Sequence, residues 1–349
     1  MRIQNLLGIE LPIIQAPMAG VQGSALAIAV SGAGGLGSLP CGMLSLEAMR
    51  KELAAIKAHT NRPFNVNFFC HTQPEPNSEQ EAAWRAALSP YYEEYEIDLS
   101  AIAGGAGRLP FSAEAADVLA EFEPAVVSFH YGLPEQGLLE QVRKWGAKIL
   151  STATTVSEAR WLEAQGVDTI IAQGLEAGGH RGTFLSEDLN TQLGTFALLP
   201  QIVQAVNIPV IAAGGIADAN GVAAAMSLGA AGGQVGTAYM LCPEATTSAV
   251  HRAAIKSDSA IFTALTNVFS GRPARGIVNR LMKELGPMSS VPPAFPLASA
   301  ALAPLRAEAE SLGTGDFSPL WAGQNVSSCK EVPAADLTLE LAEGAKEVL

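Results

Sequence analysis

Two histidines in this sequence stand where an imidazole could do chemistry. His180 lies in Gln173-Gly174-Leu175-Glu176-Ala177-Gly178-Gly179-His180-Arg181-Gly182, a glycine-rich loop after the apolar run 169–173. A histidine that only packs belongs on an apolar face, not among glycines. This one suits a general base or an orienting donor, because its proton equilibrium lies near neutral pH. His130 follows the apolar run 125–129 in Ser128-Phe129-His130-Tyr131-Gly132, again at a strand end, so it too would point into the mouth that strand ends form, either in a functional or in a structural role. His59, His71 and His251 lack such a setting, although His71 follows the run 64–69 and could belong to a lid. No HExxH or paired spacing occurs, and no metal site is expected.

Glycines supply the second signal. Ala213-Gly214-Gly215-Ile216 closes the run 209–213 and leads into a helix opened by Asp218, and the next run contains Gly233-Gln234-Val235-Gly236-Thr237. Glycine lets backbone N–H groups approach phosphate oxygens, and a helix N-terminus adds partial positive charge. A Gly-Gly pair can also be only a tight turn; its recurrence in consecutive units favours phosphate. Neither stretch matches GxGxxG or the Walker pattern, which argues against a Rossmann dinucleotide or a nucleoside triphosphate. Asn65 and Asn67 share one face of the run 64–69, and Gln173 closes another run. Buried amides need partners, which are either the edges of a ring ligand or neighbouring backbone. Ser270-Gly271-Arg272-Pro273-Ala274-Arg275-Gly276, with Arg280, is basic. It reads as an anion site or as arginines paired to carboxylates.

Apolar runs at 12–16, 35–39, 64–69, 125–129, 148–152, 169–173, 209–213 and 233–238 have the look of strands buried on both faces. Helical patterns lie between them. One follows Ser157 and stops at Gly166; another runs from Asp218 to Gly229. Eight such units favour an α/β fold of the closed (β/α)8 TIM-barrel type over an open doubly wound sheet. In that barrel, ligands sit at the C-terminal ends of strands, with phosphate after strands seven and eight. The expected organisation is a barrel over 1–240 with an insertion at 70–124 that carries Tyr91, Tyr92 and Tyr95. A helical and Pro-rich cap over 241–300 follows, then a C-terminal helical segment over 301–349 that packs on the barrel and carries an amphipathic run at 302–312. Which of the three tyrosines, Arg272 and Arg275 reach the pocket is left open.

Hydrophobic residues make up 48% of the 349 and charged residues 16%, so a sizeable core can form. The net charge of −13 comes without any basic stripe, which excludes nucleic acid and an anionic membrane surface as partners. Residues 11–46 carry no charge, but Pro12, Pro17 and Pro40 interrupt any spanning helix, and Glu10 argues against a signal peptide. Cys41, Cys70, Cys242 and Cys329 form no CxxC motif and read as reduced thiols of a cytoplasmic protein. A homo-oligomer is compatible with all of this.

These loops, together with Gln15-Ala16-Pro17-Met18-Ala19-Gly20 and Pro319-Leu320-Trp321-Ala322-Gly323-Gln324, resemble the nitronate monooxygenase (2-nitropropane dioxygenase) family, class I. The resemblance implies a barrel that binds FMN non-covalently. Its phosphate would rest on Gly214, Gly215, Gln234, Val235, Gly236 and Thr237. Pro17, Met18, Asn67, Gln173 and Gly178 would contact the flavin. His180 matches the family's catalytic histidine, and His130 a further active-site position at the substrate. The implied reaction oxidises alkyl nitronates with O2 to a carbonyl compound plus nitrite or nitrate. Propionate 3-nitronate is the expected substrate, and its negative charge calls for a cation that the motifs do not locate. Flavin barrels that reduce with NAD(P)H, enoyl-ACP reductase or NADH:quinone reductase, share the Glu-Ala-Gly-Gly-His stretch and stand as the alternative. The chain departs from the family at Val21-Gln22-Gly23-Ser24, where a Thr-Pro element is expected.

Overall fold

Continuous apolar runs become strands when both faces are covered, and eight do so here. A computed structural model describes residues 2–98, 100, 102, 108–346 and 348. Its strands in chain order are β1 (Ile13–Gln15), β2 (Gly37–Pro40), β3 (Phe64–Phe69), β4 (Val126–His130), β5 (Lys148–Ala153) and β6 (Thr169–Gln173). They continue with a two-residue β7 (Gly179–His180), then β8 (Val210–Ala213) and β9 (Gly232–Val235). All but β7 join one parallel sheet in the order β1-β9-β8-β6-β5-β4-β3-β2. Its ends meet through a bridge from Ile14 to Leu36, with Gln15 N donating to Leu36 O and Leu36 N to Ile13 O, each at 2.9 Å. The fold is therefore the expected TIM barrel. The eighth run stops at Val235, earlier than 238, because Gly236 turns the chain into a 3-10 turn over Thr237–Leu241.

Helices cover the outside. The helix Ala219–Ser227 is capped by Asp218, whose carboxylate accepts from Gly221 N at 2.9 Å. The helix read from Ser157 begins earlier, as Val156–Ala164. Thr155 holds an extended backbone and accepts from Glu158 N at 3.2 Å, so it is the cap. Leu198, Leu199 and Ile202 are among the helix residues in the outer core. Inside the barrel, Ile14, Leu36, Val126, Leu150, Ile171 and Ile211 form an apolar floor, closed from below by Ile3 and Leu7 of the helix Ile3–Leu7. Two residues further along four of these strands, the same inward face turns polar, with Leu36 giving way to Ser38. Val126 gives way to Ser128 and His130, Leu150 to Thr152, and Ile171 to Gln173. This change from apolar to polar places the site at the C-terminal mouth.

The segment after β3 holds the helices Ser78–Glu94 and Ala113–Phe122. Trp84, Leu88, Tyr91 and Tyr92 pack with Phe317 and Leu305, and Tyr92 Oη donates to Ala301 O at 2.7 Å. The segment after β9 differs from a purely helical and Pro-rich stretch. It contributes β10 (Thr263–Thr266) and β11 (Ala274–Ile277), antiparallel to each other, and β11 pairs with β7. A strand of two residues leaves no periodicity to read, so this small sheet is invisible before folding. The helices Ala303–Ser311 and Ala334–Lys346 follow. Leu337 and Leu341 of the latter join Leu26, Val30 and Val222 in one core. Among the described residues, no helix is long and apolar enough to cross a membrane. All four cysteines are free thiols.

Candidate active site

The loop that carries His180 is held from three sides. Gln173 clamps it with both ends of its amide: Nε2 donates to His180 O at 3.0 Å, and Oε1 accepts from Gly182 N at 2.8 Å. Pairing of β7 with β11 fixes the backbone of Gly179 and His180. Arg181 is fully buried and anchors the rest. Its guanidinium donates to Gly174 O at 2.7 Å, to Gln173 O at 2.8 Å and to Gln192 Oε1 at 2.9 and 3.1 Å. Burial lowers its pKa to about 10, so it stays charged at neutral pH. Arg181 and Glu176 are thus structural: Glu176 accepts from Thr195 N at 2.7 Å and Thr195 Oγ1 at 2.9 Å.

His180 Nε2 lies 2.8 Å from Ser270 Oγ. A hydroxyl can give or take a proton in that bond, so Ser270 supports either tautomer. No protein partner is found for His180 Nδ1 among the described residues. Burial, followed by the positive charge of Arg108, holds the imidazole pKa well below its ordinary value, so the ring is neutral. His130 stands behind it. Its Nε2 lies 3.2 Å from His180 O, and a carbonyl can only accept, so Nε2 carries the proton. Nδ1 then accepts from Thr152 Oγ1 at 3.2 Å. Burial pushes the His130 pKa down to about 3. Both ring nitrogens of His130 are therefore engaged by protein.

One cavity at the mouth of the barrel brings most of the expected residues together. It is lined by Pro17, Met18, Asn67, His130, Gln173, Gly178, His180, Gly214, Gly215, Gln234, Gly236 and Thr237. Val235 does not line it; its side chain is buried in the core with Ile13 and Val222. Gly214 and Gly215 hold φ of 114° and 75°, which only glycine adopts easily. Among the described residues, no acceptor is found for the amide N–H of Gly215 or Gly236, so both are open to an anion. Gln234 Oε1 is buried without a partner among the described residues. Asn67 spends Nδ2 on Ser128 Oγ at 2.9 Å and Ser128 O at 3.2 Å. A phosphorylated ring with its own donors fits this arrangement: N–H groups at one end, amide oxygens along the wall.

Further walls were not legible as site residues. Trp321, Phe69 and Phe295 stand 5.4, 6.3 and 5.2 Å from the His180 ring, centroid to centroid. Trp321 and Ser270 lie inside stretches whose composition stood out; Phe295 and Arg108 gave no signal. Gly178 touches the chain at Ala322 and Gly323, where an added Cβ would come within 2.5 Å of backbone. Gly323 N donates to Thr237 Oγ1 at 2.9 Å and Gln324 N to Glu176 O at 3.0 Å, which ties the C-terminal stretch across two loops. Tyr91, Tyr92 and Tyr95 are not among the lining residues, nor are Arg272 and Arg275. Arg272 lies 4.0 Å over the ring of Tyr131, and Arg275 donates to Leu175 O at 2.8 Å. Of the basic stretch, Arg280 alone pairs with carboxylates among the described residues, Glu94 and Glu284. Among the described residues, no cluster of metal-ligating side chains occurs.

A family model described as nitronate monooxygenase matches residues 1–344. The chain belongs to the nitronate monooxygenase family. It is similar to the nitronate monooxygenase of Paraburkholderia phytofirmans, at 42% identity over 98% of this chain and 94% of that protein. Crystal structures of nitroalkane oxidase from Streptomyces ansochromogenes superpose with a TM-score of 0.90 and 39% identity, covering 99% of this chain and 98% of that one. FabK from Thermotoga maritima is more distant, with a TM-score of 0.71 and 28% identity over 99% of this chain and 96% of that one. As a family member, the chain is an oxidoreductase.

Proposed function

We propose that this chain binds FMN and oxidises alkyl nitronates with O2, giving a carbonyl compound and nitrite or nitrate. Bound flavin supplies the electron chemistry. The protein's part is to bind, orient and exclude water. Gly214, Gly215, Gln234, Gly236 and Thr237, with the backbone of Val235, take the phosphate. Pro17, Met18, Asn67, Gln173 and Gly178 border the ring. One observation carries the reading: the neutral imidazole of His180 lines the same cavity as the glycine cradle.

The low basicity of that imidazole favours a nitronate, which arrives already deprotonated, over a neutral nitroalkane. With Nδ1 protonated, His180 donates to a nitro oxygen; with Nε2 protonated, Nδ1 can receive a proton from a carbon acid. An anion in the cavity raises the pKa of the imidazole and strengthens either role. His130, expected at the substrate, holds the His180 backbone from behind. Phe69, Phe295 and Trp321 keep the space dry.

The test is oxygen consumption by purified protein with propionate 3-nitronate. His180→Asn should keep the yellow, FMN-loaded protein and lose turnover. Undiminished turnover in that variant removes His180 from the chemistry. The alternative, an NAD(P)H-dependent reductase, rests on the Glu-Ala-Gly-Gly-His stretch at 176–180. Rapid bleaching of the flavin by NADH without oxygen, with no nitronate oxidation, would favour it.

A further inference from the structure

The cavity around His180 shares part of its lining, Arg108 included, with a wider, mostly apolar chamber of about 1180 Å³. Arg108 and Arg306 line both spaces. They differ in their partners. Arg306 Nε lies 2.8 Å from Glu310 Oε1, so its charge is balanced. Arg108 has no carboxylate within ion-pair distance and no acceptor for its guanidinium among the described residues. Its backbone is nevertheless fixed, since Arg108 O lies 3.1 Å from His71 Nε2 and accepts from Gln73 Nε2 at 2.7 Å.

The guanidinium sits 5.6 Å from the Phe295 ring and 6.0 Å from the Phe69 ring, the two rings that also flank His180. It is half-buried, and burial lowers its pKa. Holding a cation away from water without a counter-ion is unfavourable, and an anionic ligand would offset that cost. The Tyr131 hydroxyl is buried, with no partner among the described residues, in the same aromatic cage, its ring 5.5 Å from Phe295. Among the described residues Arg108 is thus a cation without a counter-ion, lining the same cavity as the imidazole and flanked by the same two rings.

We infer that Arg108 is a specificity-determining residue that binds a second anionic group, a carboxylate, on nitronates whose nitro end meets His180. This inference rests on the proposed nitronate oxidation. Arg108 makes a charge-assisted hydrogen bond to the carboxylate from the side of the outer chamber. A nitronate with a neutral alkyl tail occupies the same place without that bond.

The experiment compares propionate 3-nitronate with the nitronate of 1-nitrobutane in wild type, Arg108→Gln and Arg108→Lys. In Arg108→Gln, kcat/KM for the carboxylated substrate should fall about 10- to 100-fold, mainly through KM, as expected for loss of a charged partner. The loss with the neutral-tailed nitronate should be at least about tenfold smaller, and Arg108→Lys should recover part of the preference because it restores the charge. Equal losses on both substrates, or no loss on either, would overturn the inference. If wild type oxidises neither nitronate, the functional reading fails and Arg108 is judged by binding alone. Thermal-shift titration with 3-nitropropionate and 1-nitrobutane then decides: a preference for the acid that disappears in Arg108→Gln supports the role, and equal affinities refute it. Matching flavin content and melting curves show that the variants are folded.

Discussion

Arg181 gives the sharpest test of how the fold holds the candidate base. Replacing it with Met keeps the apolar stem and removes the guanidinium. Of its three acceptors, Gln173 O and Gln192 Oε1 then lose their donor inside the protein, while Gly174 O keeps Ala177 N at 3.1 Å. Each stranded acceptor costs about 1–3 kcal/mol. Part of this is offset, because a guanidinium no longer has to be kept from water, an effect of several kcal/mol. The net loss is about 1–3 kcal/mol. An unfolding entropy of ~2.1 cal/mol/K per residue makes this about 1–4 °C in Tm for a chain of this length. Function should suffer more than stability. The neighbouring His180 loses one of its three supports, and a displacement of about 1 Å can cost on the order of 100-fold in rate. Differential scanning fluorimetry and oxygen uptake with a nitronate measure the two effects. An unshifted Tm with undiminished turnover would refute the claim that Arg181 anchors the loop.

Three further outcomes are expected. Gly178→Ala should destabilise the protein and weaken flavin retention, because the new Cβ meets the backbone of Ala322 and Gly323 at 2.5 Å; normal flavin content in that variant would contradict the close contact. Gly214→Ala should cost about 1–3 kcal/mol from its positive φ alone. Its purified protein should carry less FMN, read from the absorbance ratio. Stability should decline as pH falls from about 6.5, the unfolded value of histidine, toward the folded pKa values of about 3 for His130 and about 4 for His251. In that window the unfolded chain binds protons that the buried rings exclude, so acid favours unfolding. His251→Gln should flatten the acid side of a Tm-against-pH curve, and an identical curve would argue that His251 is not neutral when folded.

The barrel was legible because its strands are buried on both faces and leave short apolar runs between glycine stops. His180 and His130 were legible for a related reason: each stands where such a run ends, at the mouth. What the sequence hid depends on partners far apart in the chain. Arg108 meets Phe69 and Phe295 only after folding, and nothing local marks it. The sheet of β7, β10 and β11 joins strands from three separate segments, one of them two residues long. The tyrosines of the insert had the composition of a lid. They pack instead against Phe317 and the C-terminal helices, because those surfaces need cover more than the cavity does. Gln173 was expected at the ring edge, and its amide ends are both spent on the His180 loop.

The stretch 319–324 fastens the loops after β6 and β9 to each other and supplies Trp321 as a wall. It is made long after the eighth barrel strand has left the ribosome. Without it the cavity would lack both Trp321 and the tie between those two loops. Shortening the chain before this stretch would spare every barrel strand and still leave the chamber without its last side.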